Sequence, residues 1–456
     1  MPVQYPNTPG VKVVEESLLA PSIAQISTAV PVFIGYTKKG TLKEAVRITS
    51  LKEYENEFGG SFPHDFKLNS SLEVDSSYTK TLDYILYESI QLYFLNGGRV
   101  CYILPVGNFP VDTTTGILKN ESNITKADFI NAMPIIETLD EPTLIAFPEA
   151  VKFNTQKYGE IAVEALKTSH NTKDKFALID QSYESDLLNF NPASNALGAE
   201  AFRTALGTEY LSYGAVYYPS LAVSIDFTIN EEKSVVGTDT LKKLKTDRDT
   251  NYEKAILAIH KEKKMYIPPS SLIAGVYAKN DREYGFWKAP ANISLQGVIK
   301  PKKAISDATQ QKLNVDATGK SINAIRQFTG KGTIVWGART LDGNSNEWRY
   351  ISVRRLFMTV EESIKKATAQ FVFENNDTKT WVKVNAMISA YLNELWKQGA
   401  LMGASAKEAY FVRVGLGTTM TQQNILDGQM IIQIGLAAVR PAEFIILSFS
   451  HKMQEL

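Results

Sequence analysis

The chain has four histidines, His64, His170, His260 and His451, and they set the first limit on its chemistry. Nucleophilic hydrolysis needs a serine or cysteine, an imidazole and a carboxylate within hydrogen-bond reach. His64 stands in a Ser/Pro/Asp loop, His170 follows a predicted helix, His260 belongs to the basic run AIHKEKK, and His451 lies near the C-terminus. None has the glycine-flanked setting of an active site and no serine sits in a G-x-S-x-G elbow, so each histidine is expected at the surface or at a helix end. A single cysteine and scattered histidines provide no metal-ligand cluster. Phosphate binding asks backbone amides to close around the anion, as in G-x-x-x-x-G-K-[ST] or a strand-flanked G-x-G-x-x-G, and neither occurs. GKGTIVWG (330–337) runs into a strand and VGLGTTMT (414–421) lacks the lysine, so both are expected as turns. No catalytic, cofactor-binding or metal-binding residue is therefore assigned, and the protein is expected not to be an enzyme.

A different chemistry is legible from Trp336 to Phe373. WGARTL and WRYISVRRLF place the anchors Trp336, Trp348 and Tyr350 beside Arg339, Arg349, Arg354 and Arg355. Planar guanidiniums suit paired carboxylates, and aromatic residues with arginine are enriched where proteins bind one another. Two readings stay open: salt bridges inside one domain, or ties to neighbouring copies. The following segment, MTVEESIKKATAQFVFE, sets Glu361 against Lys365 and Glu362 against Lys366 at i,i+4 spacing, with Val360, Ile364, Ala367 and Phe371 as its apolar face.

These residues need elements to position them. At 456 residues the chain has room for about three domains of roughly 150 residues. Lysine plus arginine equals aspartate plus glutamate at 49 each, so no global field would recruit nucleic acid or an anionic membrane. No signal peptide is apparent, and no apolar run approaches the roughly 18 residues of a membrane span. Cys101, in RVCYILPVG, is expected as an inert buried thiol. AVPVFIGY (29–36) reads as a buried strand, LKEYENEFGG (51–60) as a helix with a glycine stop, and 82–98 as a second helix ending at Gly97 and Gly98. Beyond about 105, the strands TLIAFPEA, FALIDQ and GAVYYPSLAV alternate with the helical stretches YGEIAVEALKTSH and NALGAEAFRTAL, the pattern of a parallel sheet flanked by helices. Residues 227–255 are polar and read as a linker or an exposed loop plus helix. A helix with Trp381, Val384, Ile388, Tyr391 and Leu395 on one face, capped by Thr378 or Thr380, leads to two closing strands, 428–439 and 443–451, expected as a hairpin-like pair.

Several of these segments carry a family likeness. YPNTPGVKVVEE (5–16), STAVPVFIGYTKKG (27–40), YIPPSSLIAGVYAKNDREYGFWKAPAN (266–292), SINAIRQFTGKG with WGARTL, LNELWKQGALMGASAKEAYFVRV (392–414) and VRPAEFIILSFS (439–450) together resemble contractile tail sheath proteins. These form the outer sleeve of phage tails and of related injection machines. Residues 105–260 match more loosely, and GLGTTMT departs from the family's turn after FVRV.

The resemblance implies a multidomain α/β and α+β chain: an N-terminal arm (1–20), an N-terminal part of the body (21–104), an outer α/β domain that is subtilisin-like but not catalytic (105–300), and a C-terminal core (301–456). It implies that Val11, Lys12, Val13, Val14, Glu15 and Glu16 form one strand donated between subunits. Glu443, Phe444, Ile445, Ile446, Leu447, Ser448 and Phe449 would form the other, adding to the edges of 428–439. Glu361, Glu362, Lys365 and Lys366, with 394–408, are expected to face an inner tube. The implied partners are further copies stacked as hexameric rings, a tube protein, baseplate and terminal cap proteins, and possible sister sheath subunits. Nucleic acid, membrane insertion and cofactors are not expected; synthesis in the bacterial cytoplasm and incorporation into a tail or tail-like particle are. The competing class is a cytosolic hydrolase-like enzyme with a degenerate subtilisin-like core; a third is a passive capsid or surface-layer protein.

Overall fold

The computed structural model describes residues 22–75, 84–111, 123–183, 187–188, 190–191, 196–225, 227–262 and 265–444. The expected arm 11–16 and residues 445–449 of the other arm lie outside the described residues, as does His451. Two compact units are present, 26–362 with 439–444, and 363–438 with 22–25.

The first unit is organised on a nine-stranded sheet. In chain order its strands are β1 (Pro31–Thr37), β2 (Val46–Ile48), β3 (Cys101–Asn108), β4 (Leu144–Ala146), β5 (Phe176–Ile179), β6 (Gly214–Tyr218), β7 (Ile293–Ser294), β8 (Ile322–Phe328) and β9 (Gly332–Trp336). Across the sheet they lie in the order β7-β9-β8-β6-β5-β4-β1-β3-β2. The six strands from β8 to β3 run parallel, and β2, β9 and β7 add antiparallel edges. Parallel strands are covered on both faces, which is why PVFIGYT and FALI read as unbroken apolar runs and are buried at every residue.

Crossover helices follow the sequence periodicity. They are α1 (Leu51–Phe58), α2 (Leu86–Leu95), α3 (Lys126–Glu137), α4 (Thr155–Thr172), α5 (Ala199–Ala205) and α6 (Ser270–Tyr284). Ser50 caps α1 by accepting from the Glu53 amide at 3.2 Å, and Gly59 ends it at φ 84°. Cys101 is buried in β3, and burial pushes its thiol well above the ordinary range.

The sheet draws strands from Pro31 to Trp336 and so crosses the positions 104/105 and 300/301 where domains were expected to divide. Parallel partners far apart in sequence leave no local mark at such a position. GAVYYPSLAV forms two strands instead of one: β6 ends at Tyr218, and Leu221–Val223 joins a separate sheet with Tyr266–Ile267 and Val298–Pro301. Pro219 has no amide hydrogen with which to continue the ladder. Residues 227–255 are not a linker. Val235–Val236 pairs with Lys67–Leu68 and with Asp239–Thr240, and the helix Leu241–Thr246 follows. The charges of this stretch lie outward, while Leu241, Leu244 and Ala255 are buried.

In the second unit, helix α7 (Ile351–Thr368), which begins in the first, contributes its last turns. Helix α8 (Thr378–Lys397) buries Val384, Met387, Ile388, Tyr391, Leu392 and Leu395. Its cap is Asp377, which accepts from the Thr380 amide at 3.0 Å and stands one position before Thr378 and three before Thr380, the expected caps. The closing strand β11 (Ile432–Leu436) pairs antiparallel with β10 (Tyr410–Val414); beyond Phe444 the second strand of the expected hairpin, 443–451, lies outside the described residues. Glu443 and Phe444 have no strand structure.

The Ala-Gly of SSLIAGVYAKN has a packing reason. A Cβ on Gly275 would lie 2.5 Å from the Tyr93 carbonyl oxygen, so α6 and α2 approach backbone to backbone. Gly275→Ala is expected to lower subunit stability by about 1–3 kcal/mol, read as the shift of a urea unfolding midpoint.

Candidate functional site

The backbone of Arg339, just after β9, is held by Asn323 on β8. Its side-chain amide donates to the Val216 and Arg339 carbonyls at 3.1 and 2.8 Å, and its oxygen accepts from the Arg339 amide at 2.8 Å. With its backbone fixed, Arg339 turns its guanidinium onto Glu443: Nε lies 3.0 Å from Oε1 and Nη2 2.7 Å from Oε2. Glu443 also accepts from Asn314 Nδ2 at 2.8 Å and from the Tyr350 hydroxyl at 3.2 Å. Burial pushes the Glu443 carboxyl up, but hydrogen bonds from Arg339 and Asn314, the Arg339 charge and the Tyr350 hydroxyl outweigh it and hold the group below the usual carboxylate range.

Arg355, on α7, is buried and paired through both Nη atoms with Asp281 of α6; Nη1 to Oδ1 is 2.9 Å. Its Nη2 also donates to the Thr28 carbonyl at 2.7 Å. The guanidinium lies over the Tyr277 ring, whose hydroxyl meets that of Tyr217 at 2.8 Å. Arg354 is sandwiched between Tyr213 and Trp348, 3.9 and 4.4 Å from their ring centres. Arg349 donates to the Gly343 carbonyl at 3.0 Å and to Asn346. Trp348 meets Phe357 edge-on, and Trp336, partly exposed, packs on Phe328. In the single chain, then, Arg339, Arg349, Arg354 and Arg355 all bond or stack internally.

Arg203 went unnoticed in the sequence. It is as buried as Arg355 and donates to the Lys312, Leu313 and Lys320 carbonyls and to Asp316. NALGAEAFRTAL carries only a helical period, and no local signal marks an arginine whose acceptors lie more than 100 residues away. The sequence places Glu443 at the start of the C-terminal arm and gives no sign that it is the carboxylate for Arg339.

The four residues expected to face a tube separate. Glu361, Lys365 and Lys366 are exposed, whereas Glu362 is buried at 6% exposure and presents no surface. On the second unit, Val372, Val382 and Leu426 are exposed, and Phe373 is fully exposed at a φ of 72°.

Of the three described histidines, His170 and His260 stand in the last turn of a helix as expected, and His64 departs. His64 is not a surface residue: it packs edge-on to Phe62 and Phe227, and burial pushes its imidazole down to about 4. His260 is half-buried against Phe227. His170, in the last turn of α4, stacks on Tyr210. Aromatic neighbours distant in sequence created these settings.

Carboxylates with raised pKa often flag active sites. Here two of them, Glu149 and Asp180, close helix starts. In an open parallel sheet, ligands bind at the carboxyl ends of the strands, where the winding direction reverses, and here that point lies between β1 and β4. Glu149 fills it, accepting from the amides of Tyr36, Ile85 and Leu86 at 2.7, 3.0 and 3.1 Å, so the N-terminus of α2 is met by one of the protein's own carboxyl groups. Gly35 leaves room for this carboxyl, since a Cβ there would lie 2.7 Å from Oε2. Asp180, after β5, accepts from the Ser270 amide at the start of α6 at 2.8 Å.

Burial pushes Glu149 up to about 8 and both Asp180 and Glu88 up to about 7. Glu88 Oε2 and Asp180 Oδ2 have no hydrogen-bond partner among the described residues. A carboxyl raised in the folded state keeps its proton where the unfolded chain has lost it. The stability it contributes is complete below the ordinary carboxylate pKa of about 4 and is lost as pH rises through about 7. Urea midpoints of the subunit are therefore expected to fall between about pH 5 and 8. Glu88→Gln combined with Asp180→Asn should flatten that slope.

Comparison with known proteins gives this framework a class. Residues 344–452 match the family described as phage tail sheath C-terminal domain. A putative prophage major tail sheath protein of Pseudomonas aeruginosa is 30% identical over 139 residues, which cover 30% of this chain and 35% of that protein. The match thus spans about a third of that relative's length. The solved sheath complex of the extracellular contractile injection system PVC, in its contracted state, is 34% identical with a TM-score of 0.68, covering 99% of both chains. The contracted helical sheath of the anti-feeding prophage is 33% identical with a TM-score of 0.67, covering 98% of this chain and 100% of that one. The fold and these likenesses define a structural protein of helical sleeves. The chain belongs to the contractile tail sheath family.

Proposed function

We infer that the chain is the sheath subunit of a contractile, phage-tail-like injection particle. Copies stack as hexameric rings around an inner tube and shorten to drive the tube through a target envelope. The observation that carries this reading is the end-to-end likeness, at 34% identity, to a sheath captured in the contracted state. Within it, the terminal segments 11–16 and 443–449 act as strands donated to neighbouring copies. The two-stranded sheet of β10 and β11 in the second unit supports this, because an isolated pair of strands is marginal in water and gains from further partners. The α/β part of the chain, read by resemblance as a subtilisin-like outer layer, takes no chemical part. Free energy stored in the extended assembly replaces nucleotide hydrolysis, as packed interfaces switch between discrete arrangements. The relatives named above are sheath proteins and lend the hydrolase reading no support.

Tube-facing contacts fall to Lys365 and Lys366, with Glu361. Exposed charges of this kind are screened and weak one by one, which suits a surface that must release when the sleeve shortens.

Co-production with the tube and baseplate proteins, followed by electron microscopy, is expected to give sleeves that shorten on mild denaturant treatment. Dispersed globular particles would overturn the reading, and sleeves of fixed length would indicate a passive shell. Lys365→Glu with Lys366→Glu should cut the number of sheathed tubes sharply, and an undiminished count would remove these lysines from the tube contact.

A further inference from the structure

Each end of the described chain is fastened to the first unit by a buried arginine. Thr28 lies on the approach to β1, just inside the N-terminal segment, and its carbonyl accepts from Arg355 Nη2 at 2.7 Å. The same guanidinium is locked in plane by Asp281 and stacked on Tyr277. At the other end Glu443 receives three hydrogen bonds from Arg339, one from Asn314 and one from Tyr350. Arg339 and Arg355 are 4% and 3% exposed and stand in one stretch of chain, from the exit of β9 to the second turn of α7.

We propose that Arg355 and Arg339 are arm anchors: positioning residues that pass tension from the N-terminal and C-terminal segments into the buried core of the subunit, so that linked copies stay joined while the sleeve shortens. The proposal rests on the sheath reading above. Its physical basis is directional. An apolar contact can slide under shear, whereas a bidentate guanidinium–carboxylate pair has fixed geometry, and parting it out of water leaves an unpaired buried charge. Arg355 takes hold of the main chain itself, through the Thr28 carbonyl, so a pull along the segment does not pass through a flexible side chain. Arg203 provides the internal contrast. It is equally buried and equally well bonded, but its acceptors are Lys312, Leu313, Asp316 and Lys320, none of them at either end of the described chain.

The test uses complete particles carrying Arg339→Lys, Glu443→Gln, Arg355→Lys, Asp281→Asn or the control Arg203→Lys. Shortening is triggered by mild denaturant and the fraction of unbroken sleeves is counted by electron microscopy, beside the melting temperature of each soluble subunit. Anchor variants are expected to assemble extended sleeves that break on shortening, the unbroken fraction falling severalfold below both the parent and Arg203→Lys. Three results would overturn the proposal: anchor variants that shorten unbroken, an Arg203→Lys control that breaks equally often, or anchor variants that cannot fold while Arg203→Lys does, which would make these arginines folding residues. A parent protein that forms no shortening sleeve would instead refute the sheath reading, and the anchor role with it.

Discussion

The structure depends on burying guanidinium groups against acceptors or ring faces; Arg354, held between rings, leaves its Nε without a hydrogen-bond partner among the described residues. Removing an arginine from water is costly, and the cost is offset only where carboxylates, carbonyls and ring faces surround the fork. Arg339, Arg354, Arg355 and Arg203 meet that condition in three ways. Arg339 and Arg355 take a paired carboxylate plus a main-chain carbonyl, Arg354 lies between two aromatic rings, and Arg203 gathers three carbonyls and Asp316. The acceptors come from distant parts of the sequence, so these side chains fix segments that no local propensity could bring together. In a protein whose role is mechanical, such fastenings take the place that a catalytic constellation holds in an enzyme.

The same reasoning accounts for the buried acids. An α/β sheet of this topology offers a crevice at the carboxyl ends of β1 and β4, and enzymes built on similar sheets bind ligands there. In this chain Glu149 occupies the place, answering three backbone amides, and Asp180 does a similar service one strand further on. The arrangement is that of a binding site turned to structural use. Fold alone therefore carries no activity, and the chemistry must be read from the groups at the site.

Exposure is distributed unevenly. The first unit covers its long sheet with helices, while the second shows Val372, Phe373, Val382 and Leu426 at its surface. A fully exposed phenylalanine at positive φ is costly in an isolated monomer, both in solvation and in backbone conformation.

What the sequence determined by itself was local: the buried strands at 31–37 and 176–179, the amphipathic helices around 86–95 and 378–397, the glycine stops, and the concentration of arginine and tryptophan between 336 and 355. Each is written in a period or a residue type within a short window. Tertiary structure decided the rest. It joined strands from Pro31 to Trp336 into one sheet, paired β11 with β10, folded 227–255 back onto 67–68, buried Glu362 and surrounded His64 with rings. It also gave Arg339, Arg355 and Arg203 their acceptors and Arg354 its two rings. The physical reason is that partner choice depends on which distant groups the packed core brings within hydrogen-bonding distance, and a one-dimensional pattern holds no record of that distance.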